Sequence, residues 1–340
     1  MRTALVVSGG GSKGAFAVGV IKYILKNTPI RFDLFCGTST GSLIVPLVAL
    51  GELDLLETIY TTKKTEDIIL TGNVIKRFAQ NNSLFDAKPL ANLIQNTYTA
   101  ERYNQLIETR KPVFLTTVSL QSGRLTYFST LEAPLIEQPE YDVITIPSHD
   151  IFVRAVLASA EQPVFMQPIE IPKDSGKQYV DGGVQELTPI QLAIENGATH
   201  IYAITLSPAE SQPLTKKYDS VLDILLRTID LFSLDISTND IKFPLWYNRT
   251  LTYLAHVKTR VAEATGLSPQ EVDALFDSND NLFQGKVPIN LNIIRPIKTL
   301  DGGPGGLDFD PVKMKDMLAQ GEAAAKDFFN NHPLPDEVIV

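Results

Sequence analysis

The feature that most constrains this chain is a strand–glycine turn–helix unit repeated within its first fifty residues. Residues 4–7 form a short β-branched run that ends on Gly9-Gly10-Gly11-Ser12-Lys13-Gly14. Phe16, Val20, Tyr23 and Ile24 then share one face of a helix over 15–26. Residues 33–36 repeat the pattern and run into Gly37-Thr38-Ser39-Thr40-Gly41 and a second helix over 41–50. Strands joined through helices predict parallel pairing with crossover connections, hence an α/β fold.

Further along, 112–120 and 124–129 read as a hairpin turned by Gln121-Ser122-Gly123. A helix is expected over 151–160, and a strand over 178–180 that runs into Asp181-Gly182-Gly183. A helix over 189–196 is stopped by Gly197, and a strand follows over 200–206. Residues 216–265 read as two or more helices, 287–294 as the last strand and 311–330 as a terminal helix. The stretch 52–110 is mixed and mostly helical, with polar breaks at Thr71-Gly72-Asn73 and Asn81-Asn82. Only Asp301-Gly302-Gly303-Pro304-Gly305-Gly306 reads as loose, and no internal repeat divides the chain. The expectation is one domain over 1–340, with a motif-bearing core over about 3–206, a helical insertion over about 52–110 and a mainly helical part over about 210–340.

Composition narrows the partners. Of 340 residues 44% are hydrophobic, enough for a sizeable core, and the net charge is −9. That balance excludes a nucleic-acid partner, which needs a basic face, and attachment to an anionic membrane by charge alone. It leaves open lipid substrates held by apolar surface. Cys36 is the one cysteine, so the chain holds neither an internal disulfide nor a cysteine metal cluster. The N-terminal apolar run is too short for a signal-peptide core, and no stretch approaches the roughly 18–20 apolar residues of a spanning helix. The reading is a cytoplasmic protein, with signal-less secretion left open.

The motifs carry the chemistry. In a Gly-x-Ser-x-Gly turn the serine sits where strand becomes helix, so its hydroxyl projects toward a substrate and the helix N-terminus favours negative charge beside it. Ser39 holds that place; the competing reading is a glycine-bracketed turn with a serine cap. The consecutive glycines at 9–14 let backbone amides converge on an oxyanion. The same spacing fits Gly-x-Gly-x-x-Gly, with Asp33 about 20 residues downstream for a ribose, the fingerprint of a nucleotide-binding oxidoreductase. Asp33 precedes its strand, however, whereas a ribose ligand should follow it. Lys13 is most simply a solvated loop lysine that adds positive potential.

A serine nucleophile needs a base. The four histidines, His149, His200, His256 and His332, all lie outside glycine-bounded strand ends. Asp181 lies at such an end, although Asp-Gly is also a common turn pair. A triad of Ser39, Asp181 and His200 or His256 keeps the chain order of the α/β-hydrolases, but those place several strands before the elbow and here one precedes it. A Ser39–Asp181 dyad is therefore preferred.

The three motifs, at 9–14, 37–41 and 181–183, in this order and spacing, resemble the patatin-like phospholipase family. Ala158-Ser159-Ala160, with Pro163, Phe165 and Pro168, resembles the segment that precedes the family's Asp-Gly motif. The resemblance covers 3–206, and more weakly the helix over 310–329; 52–110 and 210–300 match no motif. It implies a three-layer α/β/α fold with a mainly parallel central sheet and helical insertions. It also implies a lipid acyl hydrolase that needs no metal for its dyad and no cofactor. Carried onto this chain, Ser39 is the nucleophile and Asp181 the base. Gly9, Gly10, Gly11, Ser12, Lys13 and Gly14 form the oxyanion loop, with Gly10 and Gly11 foremost. Gly37, Thr38, Thr40 and Gly41 frame the elbow, and Gly182 and Gly183 complete the aspartate motif. Lys13 stands where an arginine is common. The expected partner is a lipid ester, with transient contact to a membrane surface; oligomeric state is left open. An acyl groove is expected from 221–226 through Leu231 and Phe232 and from 241–247, against the alternative of ordinary core packing. The alternative activities are an acyltransferase or thioesterase on the same elbow, the nucleotide-binding oxidoreductase, and a non-catalytic lipid-binding module.

Overall fold

The computed structural model describes residues 2–70, 72, 83–131, 140–210, 215, 217–278 and 281–333. In chain order, β1 (Thr3–Val7) leads into α1 (Gly14–Asn27), and β2 (Leu34–Thr38) into α2 (Thr40–Leu50) and α3 (Leu53–Thr62). Then come α4 (Lys88–Thr97), α5 (Ala100–Glu108), β3 (Val113–Ser119), β4 (Leu125–Ser129) and β5 (Tyr141–Thr145). They are followed by α6 (His149–Ala160), β6 (Ile169–Glu170), β7 (Gln178–Asp181), α7 (Ile190–Glu195) and β8 (His200–Ile204). The remaining elements are α8 (Val221–Thr265), α9 (Pro269–Leu275), β9 (Asn290–Ile294) and α10 (Pro311–Asn331). Of the expected polar breaks, Thr71, Asn73, Asn81 and Asn82 lie outside the described residues.

One sheet organises the molecule in the order β5-β4-β3-β2-β1-β8-β9, with β7 paired to β3 and β6 to β7. β1 runs parallel to both β2 and β8, β2 parallel to β3, β8 parallel to β9 and β4 parallel to β5. The β3–β4 hairpin is antiparallel, as expected. β1 is buried on both faces, and its alternation sorts it between two layers. Leu5 and Val7 face a core shared with α1, α2, α6 and α10. Ala4 and Val6 face a second core with α7 and Ile241 of α8. The fold is thus a three-layer α/β/α sandwich around a mostly parallel sheet.

Two expectations are corrected. Within 216–265, Val221–Thr265 form one 45-residue helix, α8, capped by the Ser220 side chain and closed by Gly266 in the left-handed conformation. Between those signals it holds no glycine and a single proline, Pro244, which the helix accommodates. The glycine-rich stretch 301–306 is not loose: the carbonyl of Gly305 accepts from Gln162 Nε2 at 3.0 Å, and Gly306 packs its backbone on Gly10 and Gly11.

The first and last long helices pack backbone to backbone. A β-carbon on Gly19 of α1 would lie 2.0 Å from the Leu318 carbonyl oxygen, and one on Gly321 of α10 would lie 2.0 Å from that of Phe16. Alanine in a helix interior ordinarily gains about 1 kcal/mol over glycine. Here overpacking reverses the sign, and Gly19→Ala is expected to lose at least about 2 kcal/mol. The urea midpoint of unfolding checks this; a midpoint equal to or above wild type would show that α1 and α10 are not in this contact.

Candidate active site

The register of the sheet brings the three glycine motifs to one edge. Val7 is paired with Gly37 on one side and with Ile204 on the other, so the loops after β1 and β2 leave the sheet side by side. On β2's other flank, Thr38 pairs with Thr116 of β3, and the next residue of β3, Thr117, pairs with Asp181 of β7. β7 therefore takes over the lane along β3 that β2 leaves. Ser39 and Asp181 meet end to end across that handover.

Ser39 has φ 55° and ψ −123°, a region that side chains other than glycine rarely enter. The turn is tight enough that a β-carbon on Gly37 would lie 2.5 Å from the backbone of Gly41, which is the collision the flanking glycines were expected to avoid. Three hydroxyls and two carbonyls hold the elbow. Ser159 Oγ accepts from the Ser39 amide at 3.0 Å and donates to the Thr116 carbonyl at 2.6 Å. Ser42 Oγ donates to the Gly37 carbonyl at 2.6 Å, and Thr116 Oγ1 donates to the same carbonyl at 3.0 Å. Thr40, which opens α2, hydrogen-bonds the buried Tyr60 hydroxyl.

Asp181 is buried, and its amide donates to the Glu161 carbonyl at 3.0 Å. Burial pushes its carboxyl up to about 6, while hydrogen bonds from the Ser39 side chain and the Gly183 amide (2.7 Å to Oδ1) act in the opposite direction. Gly182 packs on Thr116. Glu161 is 2% exposed and, among the described residues, its Oε2 has no partner. Burial first, and then the carboxylates of Asp181 and Asp86, push Glu161 up to about 8.

The glycine loop divides by function of its amides. Gly9 donates to the Leu187 carbonyl at 3.1 Å and Lys13 to the Gly10 carbonyl at 3.2 Å, and Gly14 is bonded within the turn. Among the described residues the amides of Gly10, Gly11, Ser12 and Thr40 have no acceptor. The buried hydroxyls of Ser12 and Thr38 are likewise without a partner there. Lys13 is half-buried rather than solvated; burial lowers its pKa, and Asp230 of α8 opposes that. Asp33 accepts the Thr3 amide at 3.0 Å, at the opposite sheet edge from the glycine loop.

From Ser39 and Gly11 an apolar cavity of about 750 Å³, mouth included, runs between α2, α3, α4 and the 307–314 segment. Leu47, Leu56, Ile94, Met166, Leu307 and Phe309 are among its walls. The acyl groove expected from 221–232 and 241–247 is not the one that opens at Ser39: among the described residues none of α8 lines this cavity, and Ile241 of α8 packs on the sheet's other face. No histidine lines it either: His149 bonds the Tyr98 carbonyl through Nε2 at 2.6 Å. Among the described residues no group of three or more His, Cys, Asp or Glu is placed to hold a metal ion, and no helix is long and apolar enough to cross a membrane.

Sequence reasoning did not single out Glu161, Gln162 or Ser42, whose positions carry no local signature. Ser159 lies in a segment that did, the 158–160 stretch.

A family model described as patatin-like phospholipase matches residues 5–194. The uncharacterized protein YqhO of Bacillus subtilis (strain 168) is 26% identical over 230 residues, which are 64% of this chain and 76% of that protein. A cUMP-AMP-activated phospholipase of Escherichia coli is 47% identical over 62 residues, 17% of this chain and 19% of that protein. Among solved structures, VipD from Legionella pneumophila aligns with 97% of this chain and 67% of its own at 13% identity and a TM-score of 0.42.

The buried carboxyl of Glu161 generates a stability prediction. Its folded pKa, about 8, lies above the ordinary 4.5, so the folded state keeps a proton that the unfolded chain loses. Stability from this group is therefore full at low pH and falls as pH rises from about 4.5 to about 8. Glu161→Gln removes that slope. The difference in Tm between variant and wild type is expected to grow in the variant's favour from pH 5 to pH 8. A difference that stays flat across that range would show that Glu161 does not titrate in the folded protein as described.

Proposed function

The chain belongs to the patatin-like phospholipase family, and from that membership we propose that it is a serine lipid acyl hydrolase with Ser39 as nucleophile and Asp181 as base. The observation that supports this reading is the handover along β3, which brings a strained, buried serine beside a buried carboxyl whose pKa the serine side chain lowers. The free amides of the glycine loop and the apolar cavity that begins at Ser39 supply the other two requirements, a place for the oxyanion and a place for the acyl chain.

In the first step the Ser39 hydroxyl gives its proton to Asp181 as its oxygen attacks the ester carbonyl carbon. The negative charge that develops on the carbonyl oxygen is met by amides of Gly10, Gly11 and Ser12. Asp181 then protonates the departing alcohol, which leaves an acyl-Ser39. In the second step a water molecule gives a proton to Asp181 and attacks the acyl carbon, and Ser39 recovers its proton as the fatty acid departs. The acyl chain lies in the cavity between α2, α3 and α4, where apolar walls replace water around it.

The test is labelling with a fluorophosphonate probe together with hydrolysis of a soluble fatty-acyl ester. Wild type is expected to label, and Ser39→Ala is not. Asp181→Asn should lower kcat by about 10³-fold or more, the scale on which members of such a unit act. Equal labelling of Ser39→Ala removes the nucleophile assignment. Single alanine variants of the four histidines are expected to keep most of the wild-type rate, and loss of activity in a folded histidine variant would revive a triad.

The base also predicts a pH profile. Asp181 accepts a proton only when ionised, and its pKa is pushed up to about 6. The rate kcat/KM should therefore rise with pH through about 6. A profile already level at pH 4.5 would place the titrating group elsewhere.

A further inference from the structure

A second cavity, of about 780 Å³ with its opening counted, lies away from Ser39 and takes no part in the chemistry above. It sits where β8 and β9 end: Ser207 and Ala209 follow β8, and Arg295 follows β9. This is the edge at which open α/β sheets receive their ligands. The remaining wall is one stripe of α8, in which Thr238, Lys242, Trp246 and Arg249 recur at spacings of three and four residues.

Three cations converge there. Among the described residues Lys242, Arg249 and Arg295 have no carboxylate within ion-pair distance, and the cavity is lined by no acidic side chain. In a chain of net charge −9, such a cluster is not the background of a basic surface. Arg295 is half-buried, and burial lowers the pKa of its guanidinium, as expected of a charge without a counter-ion. Ser237 is an independent sign. It is only 4% exposed, it lines the cavity, and among the described residues its hydroxyl makes no hydrogen bond. A hydroxyl at the cavity wall that no other side chain engages is free to donate to an incoming acceptor. The Lys242 ammonium lies 5.2 Å from the centre of the Trp246 ring, which holds that charge at the mouth.

The chemistry that satisfies these groups is a compact anion with several acceptor oxygens. A single carboxylate engages one guanidinium fork; a phosphate offers oxygens to two forks, an ammonium and a hydroxyl at once. We propose that this cavity is a binding site for a phosphate-bearing anion, held by Arg249 and Arg295 with Lys242 and Ser237 completing its shell. A soluble phosphomonoester and the headgroup of an anionic phospholipid carry the same group.

Trp246 is the only tryptophan of the chain, so its emission reports on this cavity alone. The experiment titrates the full-length protein with inorganic phosphate and with glycerol 3-phosphate, using chloride at matched ionic strength as reference. A second arm uses phosphatidylcholine vesicles with and without phosphatidic acid. A saturable change in emission is expected from at least one phosphate carrier, with binding about tenfold weaker or worse in Arg295→Gln and in Arg249→Gln. Response to the soluble anions assigns the site to a free phosphate; response to phosphatidic acid vesicles alone assigns it to a lipid headgroup. The proposal is overturned if no carrier gives a saturable change or chloride reproduces it. It is equally overturned if vesicles act alike with and without phosphatidic acid while the soluble anions are silent, or if both arginine variants bind as wild type. Arg249 is exposed on α8, so its variant keeps the test decisive if Arg295→Gln does not fold. Ser39→Ala should bind phosphate as wild type does, so failure here and failure of the hydrolase reading are read separately.

Discussion

The candidate site rests on a single backbone constraint, the exchange of partners along one edge of β3. Thr116 is hydrogen-bonded across to β2, and Thr117 to β7, which arrives from the opposite direction. A parallel and an antiparallel neighbour thus share one lane, and their ends face each other. Because side chains alternate along a strand, a slip of one residue in β7 would turn the Asp181 carboxyl to the other face of the sheet. Two residues far apart in sequence are therefore set by ladder hydrogen bonds, not by a flexible loop. Ser159 reinforces the join, since its hydroxyl touches both the Ser39 amide and the Thr116 carbonyl.

Four of the six residues of the glycine loop have no side chain with which to hold it, and much of its order comes from outside. Asp240 of α8 accepts the Leu187 and Thr188 amides at 2.7 and 2.8 Å, and the Leu187 carbonyl accepts the Gly9 amide. From the other side the backbone of Gly306 packs on Gly10 and Gly11. Gln162, next to Glu161, ties that second segment down through the Gly305 carbonyl. Preorganised donors are effective because they need no rearrangement as charge develops. Here the preorganisation comes from residues more than a hundred positions away on either layer.

That dependence explains what the sequence made legible. The parallel sheet followed from two strand–turn–helix units, because strand, turn and helix signals are local. The three motifs were readable for the same reason: each is a short backbone device whose glycines have a steric cause. The apolar cavity was not readable. Its walls are assembled from α2, α3, α4 and 307–314, while of the α8 stripe that attracted attention Ile241 and Leu245 pack on the other face of the sheet and Val221, Leu231 and Phe232 are exposed. Periodicity says that a stripe is buried or unpartnered; it does not say which layer it faces. The stretch 301–306 misled in the opposite sense, since glycines that suggest mobility in a sequence also permit the closest backbone packing. A residue such as Glu161 carries no pattern at all, because what marks it is burial without a partner among the described residues.

The weakest link in a serine–aspartate pair is the base. An aspartate in water, with a pKa of 3.8, holds a proton too weakly to draw one from an alcohol with much effect, and the catalytic optimum lies nearer the working pH. Burial moves Asp181 up to about 6, a gain of about a hundredfold in proton affinity. The two hydrogen bonds that orient it pull the other way, so positioning and basicity compete at the same oxygen atoms. Glu161 enters this balance through its charge. Its own pKa of about 8 keeps it largely neutral near pH 7, which spares Asp181 a second negative charge close by. Were Glu161 ionised, the repulsion would raise the proton affinity of Asp181 and favour its protonated form, which cannot serve the proposed role of base, over a wider range of pH. A neutral acid beside an ionised one would let the proposed dyad keep a base stronger than free aspartate that is still empty of its proton at neutral pH.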